Sequence, residues 1–416
     1  MRSAPLSSSH ARSWHAAVPW IALALLLAVP PCVFPQSWLV AWLAQTAAMI
    51  VFALSYNLLL GGAGLLSFGH AASSGIGALI AAQLFNRVGV PLPLLPLAGG
   101  LGGALFGASY GLIATRRAGT AFAMITLGIG ELVAAAAWTL PDWFGGEAGV
   151  AIDRTAGPAA FNVPGVTFGP AREAYALIAL WCALAVIAMY ALTRTPFMRL
   201  ANAVRDNPAR AAAIGCHARR VRYEVVVWSS FFAGIAGTLW LIDVELVSTE
   251  SVGMLRSGSV LIATVIGGSG AFFGPVAGAV VLTFFSVVVA SATRAWLVYL
   301  GLFFVVVVVR APDGVAGWLK RQAARFARDG WRACAPLFAL RLASAAGWSL
   351  AIVLCVDWAY AQRFGGEQRA SLFATPDPLR LTAAVACLAA LGWLATTVAA
   401  RIERKRAADA RDGAHA

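Results

Sequence analysis

Long apolar runs, separated by short polar or basic stretches, dominate the chain. Runs at 38–60, 92–115, 223–241 and 379–400 reach the ~20 residues that an α-helix needs to cross ~30 Å of hydrocarbon. Backbone groups in lipid must be satisfied within the segment, so such runs read as helices rather than open strands. Strands of a transmembrane barrel would alternate apolar and polar positions, and these runs do not. The pattern predicts spans at 17–34, 38–60, 70–86, 92–115, 118–140, 173–193, 223–242, 257–268, 271–292, 295–310, 342–361 and 379–400. The expected fold class is therefore all-α, a polytopic transmembrane helix bundle of about ten core spans plus two C-terminal spans. The third and eighth spans are short and rich in glycine, which suits broken or re-entrant segments.

Composition strengthens this reading. Of 416 residues, 60% are hydrophobic and only 12% charged, where a soluble domain carries about 25% charged residues. A soluble core could not absorb that apolar surface without exposing large patches. The formal charge of +13 does not mark a nucleic-acid binder, because the basic residues sit between apolar runs and form no single patch on a soluble module. The cysteines (Cys32, Cys182, Cys216, Cys334, Cys355, Cys387) have no CxxC or metal-ligand spacing, and the histidines (His10, His15, His70, His217, His415) make no HExxH. Neither a metal site, a disulfide framework nor a cofactor is expected. Arg2, Arg12, the apolar run 16–29 and Pro30-Pro31-Cys32 superficially resemble a signal peptide. No convincing small-residue cleavage site follows, so a retained first helix is expected.

Charge then orients the spans. Residues 194–222 hold Arg194, Arg199, Arg205, Arg210, Arg219, Arg220 and Arg222 against one acid, Asp206, and Arg116-Arg117 and 310–341 are also basic. Residues 141–173 carry Asp142, Glu147, Asp153 and Glu173, and 243–256 carry Asp243, Glu245 and Glu250. With the spans above, every basic loop falls on one side and both acidic loops on the other, which places both termini in the cytoplasm.

Four segments stand out from the apolar background. The first runs Tyr56-Asn57-Leu58-Leu59-Leu60-Gly61-Gly62-Ala63-Gly64-Leu65-Leu66-Ser67-Phe68-Gly69-His70, leading into Gly75 and Gly77. The second is Phe122-Ala123-Met124-Ile125-Thr126-Leu127, followed by Glu131. The third is Arg205-Asp206-Asn207-Pro208-Ala209-Arg210-Ala211-Ala212-Ala213-Ile214-Gly215, continuing to Ala233-Gly234-Ile235-Ala236-Gly237. The fourth is Gly267-Gly268-Ser269-Gly270, then Gly274-Pro275-Val276-Ala277-Gly278-Ala279. In this order, and with Ala311-Pro312-Asp313-Gly314 closing the series, they resemble the LivM-type permeases of ABC importers for branched-chain amino acids, a family that also includes urea and amide permeases. The resemblance covers roughly residues 40–320.

The residues themselves suggest roles. Gly61, Gly62, Gly64 and Gly69, in the segment that holds Ser67, let the backbone turn or break, which a membrane tolerates only against protein or a cavity. Plain helix packing would also use such small residues. His70 is similar to the histidine of the family's Ser-x-Gly-His motif, though for one isolated titratable group a satisfied packing histidine is the favoured role. Thr126 and Glu131 lie in the fifth span. A carboxylate there either holds two helices together or lines a polar path. Gly268, Gly270, Gly274 and Pro275 mark a second break, and its similarity to Gly61-Gly62-x-Gly64 admits a duplicated half without establishing one. Residues 207–215 parse as a short helix: Asn207 caps it, Pro208 suits its first position, Ala209 to Ala213, with Ala211 and Ala212 among them, propagate it, and Gly215 ends it. The resemblance implies that this helix, with Arg205, docks into an ATPase subunit, although Pro208 stands near the place of the family's usual glutamate. An ordinary basic loop is the plainer alternative.

The resemblance further implies a permease in a bacterial inner membrane that carries branched-chain amino acids or related small amides or urea. Its implied partners are ABC ATPase subunits, a second, LivH-like permease and a periplasmic solute-binding protein, within the lipid bilayer. The chain is not expected to be an enzyme: neither Lys320 nor Lys405 is placed to complete Gly-x4-Gly-Lys-Ser/Thr, so ATP is handled elsewhere. The alternative is an autonomous secondary transporter of a small polar solute, for which Glu131 would be thin coupling machinery. Residues 1–320 are read as the permease domain and 321–416 as an extension with two further spans and a charged tail. Reporter fusions test the topology: those after residues 160, 250 and 370 should report periplasm and those after 205 and 330 cytoplasm, and an inverted pattern would refute the orientation.

Overall fold

The structure is a computed structural model that describes residues 8–33, 36–146, 148–156, 167–364 and short stretches between 385 and 401. Glu147, the start and scattered later residues of the span expected at 379–400, and the tail beyond 401 with Lys405 and His415 lie outside the described residues.

The described chain is helical apart from one two-residue strand pair. In order come α1 (Ser8–Val33), α2 (Ser37–Asn57), α3 (His70–Val88), α4 (Leu95–Ala114), α5 (Thr120–Thr139), the short α6 (Pro141–Phe144) and α7 (Ala171–Thr193). They are followed by α8 (Pro196–Asp206), α9 (Pro208–Ala213), α10 (Ala218–Val244), α11 (Met254–Gly267), α12 (Gly274–Thr283), α13 (Ala290–Ala292), α14 (Trp296–Arg310), α15 (Gly314–Asp329) and α16 (Trp331–Phe364). Two compact units result. One comprises residues 1–284 with 310–316, the other 285–309 with 317 onward.

Seven helices among the described residues are long and apolar enough to cross a bilayer: 37–62, 92–114, 120–139, 171–193, 218–244, 274–292 and 338–356. An eighth is added if α14 and Gly314–Arg325, which meet at a 49° bend, form one span. Twelve crossings are more than length and composition support here. The reasons are local. The expected first and eighth spans are short apolar helices, Val18–Pro31 and Met254–Gly267. Fourteen residues of α11 rise only about 21 Å, short of the ~30 Å hydrocarbon core. The expected third span is α3, whose 19 residues include Ser73, Ser74, Gly75, Gly77, Gln83 and Asn86 and so lack a strongly apolar surface.

In the first unit α2 and α10 form the centre. Every residue from 46 to 56 and from 232 to 239 is buried, the pattern of a helix enclosed on all sides. Lipid tails are as apolar as leucine, so helices in a membrane are held by close packing rather than by a hydrophobic drive. Glycines supply that closeness where α3, α4 and α10 meet. Gly99, Gly103, Gly107 and Gly111 recur every fourth residue along α4. A Cβ on Gly99 would lie 1.8 Å from Thr238 Oγ1, and one on Gly103 would lie 2.3 Å from the Ser230 carbonyl oxygen. A Cβ on Gly77 of α3 would come within 2.5 Å of the Gly234 Cα. Ser73 and Ser230 hydroxyls pair across the same seam at 3.1 Å.

The two acidic loops meet at one end of this unit. The strands Val150–Ala151 and Leu246–Val247 pair antiparallel, Arg154 Nε bonds Glu245 Oε1 at 2.6 Å, and Asn86 Nδ2 donates to the Ala151 carbonyl at 2.9 Å. At the opposite end Arg219 donates to the Leu112 carbonyl at 3.3 Å, close to the exposed Arg116 and Arg117. The packing makes a sharp test. A Cβ on Gly234 would stand 2.1 Å from the Gly99 carbonyl oxygen, so Gly234→Val should cost about 2 kcal/mol or more. Gly258, whose added Cβ meets nothing within 4 Å, should accept alanine with little change. Thermal unfolding in detergent measures both.

Candidate functional site

At the basic end of the first unit the backbone of α2 does not stop at Asn57. It widens into a π-turn over Leu58–Gly62, reverses at Gly64, and runs non-helically through residues 64–69 before α3 begins at His70. Gly64 has φ +66°, a left-handed conformation that costs a side-chain-bearing residue energy and glycine none.

Each backbone group freed by the break needs a partner from elsewhere in the protein. The Tyr56 hydroxyl donates to the Ser67 carbonyl at 2.9 Å and accepts from the Ser67 N–H at 3.3 Å. The Phe68 N–H donates to Thr126 Oγ1 at 3.2 Å, while Thr126 Oγ1 donates to the Ala123 carbonyl at 2.9 Å. Arg205 Nη1 donates to the Gly61 carbonyl. Glycine permits the approach of α5: a Cβ on Gly69 would sit 2.0 Å from the Thr126 carbonyl oxygen. A Cβ on Gly61 would lie 2.7 Å from the Ser269 carbonyl oxygen. The four segments that stand out in the sequence thus converge on one helix break.

His70 opens α3 and is fully buried. Its ring stacks on Phe52 at 5.4 Å and meets the edge of Tyr56 at 5.3 Å. Ser55 Oγ gives its proton to the Phe52 carbonyl at 2.7 Å, so it accepts Nε2–H of His70 at 3.0 Å. Nδ1 is left as a buried acceptor without a partner among the described residues, as are Ser67 Oγ and Asn57 Oδ1. Ser257 Oγ accepts the Ala71 N–H at 3.0 Å and caps the start of α3.

The second glycine segment closes the same end. Gly268, with φ +99°, lies against the Asp313 carbonyl and Gly314, and Gly274 opens α12 beside Gly267 and Gly268 with Pro275 in its first turn. Gly270 faces open space.

From the break an arm extends outward. α8 buries Met198, Ala201 and Val204 on one face, and Met198 fills the space beside Gly62. Asn207 then caps α9, its Oδ1 accepting from the Arg210 N–H at 2.9 Å, and Pro208 occupies the first helical turn. Gly215, with φ +85°, ends it. Ala211 is buried, whereas Ala212, Ile214 and Gly215 are exposed, Ile214 to 73%. Glu131 lies apart from this cluster, exposed on the outer face of α5 and without a hydrogen bond or ion pair among the described residues. Tyr56 opens the first motif without its bonding role being readable there, and Ser55 and Phe52 are neighbours of His70 that the motifs do not include. A phenol and a hydroxyl inside an otherwise apolar run were the available signal for the first two.

The fold is a multi-pass helical bundle whose central helix break is tied to an exposed arm. A family model described as "Branched-chain amino acid transport system / permease component" matches residues 38–310. The chain belongs to that family of ABC permeases, multi-pass membrane subunits that are not themselves catalytic and work within ABC importer complexes. It is 28% identical over 296 residues to the high-affinity branched-chain amino acid transport system permease protein LivM of Escherichia coli strain K12, covering 67% of this chain and 69% of that one. It is also 28% identical over 297 residues to the LivM permease of Salmonella typhimurium strain LT2, covering 67% and 70%. No solved structure matches the chain.

The break can be probed through its lock. Tyr56→Phe leaves the Ser67 N–H without its hydroxyl acceptor in a buried site and should cost about 1–3 kcal/mol. The expected readout is a lower unfolding temperature in detergent together with reduced transport.

Proposed function

We propose that this chain is one transmembrane half of an importer for branched-chain amino acids or related small amides or urea. It pairs with a second, LivH-like permease and two ATPase subunits and receives solute from a periplasmic binding protein. It lies in a bacterial inner membrane with both termini cytoplasmic, residues 1–320 forming the permease domain and 321–416 a C-terminal extension. The names of the two LivM relatives support the substrate class.

The observation that carries the reading is the α8–α9 arm. Its tip is exposed at Ala212, Ile214 and Gly215, while Arg205 at the end of α8 holds the Gly61 carbonyl. A partner that grips α9 acts through α8 on the break in α2, and through Gly61 and Ser269 on the second glycine turn. In this reading Arg205, Asn207, Pro208, Ala211, Ala212 and Gly215 couple ATP hydrolysis to movement. Gly61, Gly64, Ser67, Gly69, His70, Thr126, Gly268, Gly270, Gly274 and Pro275 form the movable end of the path. The unpartnered Nδ1 of His70 and Oγ of Ser67 suit a polar solute or water during passage, since each carries the desolvation cost of a lone buried polar atom.

Gly215 supplies the test. A valine there meets no neighbour but must adopt a left-handed conformation that costs about 1–3 kcal/mol. Gly215→Val should therefore yield a membrane-inserted importer that retains its ATPase poorly or hydrolyses ATP without uptake, whereas Gly215→Asn, which tolerates that conformation, should stay near wild type. Neutralising Arg116 and Arg117 should have a milder effect. The measurement is ATPase co-purification with uptake of labelled leucine in vesicles, competed by valine, isoleucine and small amides. Wild-type behaviour of Gly215→Val would refute the coupling role, and transport of sugars alone would refute the substrate class.

A further inference from the structure

Glu131 is the charged residue that the bundle leaves unexplained. Among charged residues of the seven candidate spans it alone lies more than two helical turns inside both ends. Eleven residues separate it from Thr120 and eight from Thr139, about 16 Å and 12 Å along the helix. It is exposed, and its neighbours on the same face are Met124, Gly128, Ala135 and Trp138, all exposed and spaced alternately by four and three residues. A Cβ on Gly128 would meet nothing within 4 Å. The opposite face of α5 is the one used against the break, through Phe122, Ala123, Thr126 and Gly130.

Lipid is a poor occupant of this face, because a carboxylate at such depth costs several kcal/mol unless it is paired or wet. α7 offers the contrast: its exposed stripe of Leu180, Leu184 and Ile187 is wholly apolar, and hydrocarbon satisfies it. A second copy of this chain fits no better. Twofold packing along the stripe would bring two Glu131 carboxylates to one depth, where like charges oppose each other. We infer that the Met124–Gly128–Glu131–Ala135 face of α5 is the seat of a second, different transmembrane chain, which presents a hydrogen-bond donor or cation opposite Glu131. The small residues on either side of the carboxylate let the partner backbone come close enough for that bond to form. In the importer proposed above, this chain is the second permease.

The inference rests on the importer reading and is tested on the whole complex in native membranes. A photo-crosslinking amino acid is placed at Gly128 or Ala135, and at Leu180 or Leu184 as the comparison. The expected result is an adduct with the second permease that is strong from α5 and weak from α7. Glu131→Gln should keep the second permease through purification, and Glu131→Leu should lower its recovery about tenfold, the effect of losing one hydrogen bond to a charged group. Equal labelling from both helices, adducts between copies of this chain, adducts with lipid alone, or full recovery with Glu131→Leu would each overturn the α5 interface while the ATPase still co-purifies. A wild-type chain that purifies without any ATPase would defeat the importer reading itself.

Discussion

A chain that ceases to be helical inside a bilayer must find protein partners for the backbone groups it releases, and this obligation organises the first unit. The stretch from Gly61 to Gly69 is the place where it falls due. Three side chains from three elements discharge it: Tyr56 from α2 itself, Thr126 from α5 and Arg205 from α8. None of these bonds can be lost alone without exposing a peptide group to an apolar interior. The break is therefore a junction, and displacement of any one element is felt by the other two.

Around this junction the unit is stiff. Where α3, α4 and α10 meet, backbone lies directly on backbone, and there is no layer of side chains to shear. The break also has close backbone approaches at Gly69 and Gly61, but its non-helical backbone is held by hydrogen bonds from side chains that retain rotatable torsions. Rigid helices bracketing a sparsely held turn concentrate motion at the turn. The exposed arm of α8 and α9 is bonded to that point through Arg205 and also packs against α10.

How much of this could be read from the residues follows from the range of each signal. The apolar runs that became α2, α4, α5, α7 and α10 were legible because a crossing helix is a local matter of length and composition. So was α9: an Asn-Pro start and a glycine stop are cap signals that act within one helical turn, and the structure bears both. The meeting of the four segments was not legible, because the Arg205–Gly61 bond joins residues 144 positions apart. Nor was the direction Glu131 faces, since α5 is apolar on every side and periodicity marks no inner face. Span counting failed most at α3 and α11. α3 is largely buried by its neighbours and carries polar residues, and α11 is too short for a crossing, so the apolar run that suggested each overstated it.

The shortness of α11 carries a consequence for how the protein is made. A helix of 14 residues has too little apolar length to leave the translocation machinery for the bilayer by itself. Its mate is at hand: a Cβ on Gly278 of α12 would fall 1.8 Å from the Ala263 carbonyl oxygen, and Gly267 abuts Gly274 just as closely. The two helices are thus sealed along their backbones across a turn of six residues, 268–273. During biogenesis α11 would wait for α12 to emerge and enter the membrane with it as one hairpin, so the order of synthesis, rather than hydropathy, decides when this part of the bundle is inserted.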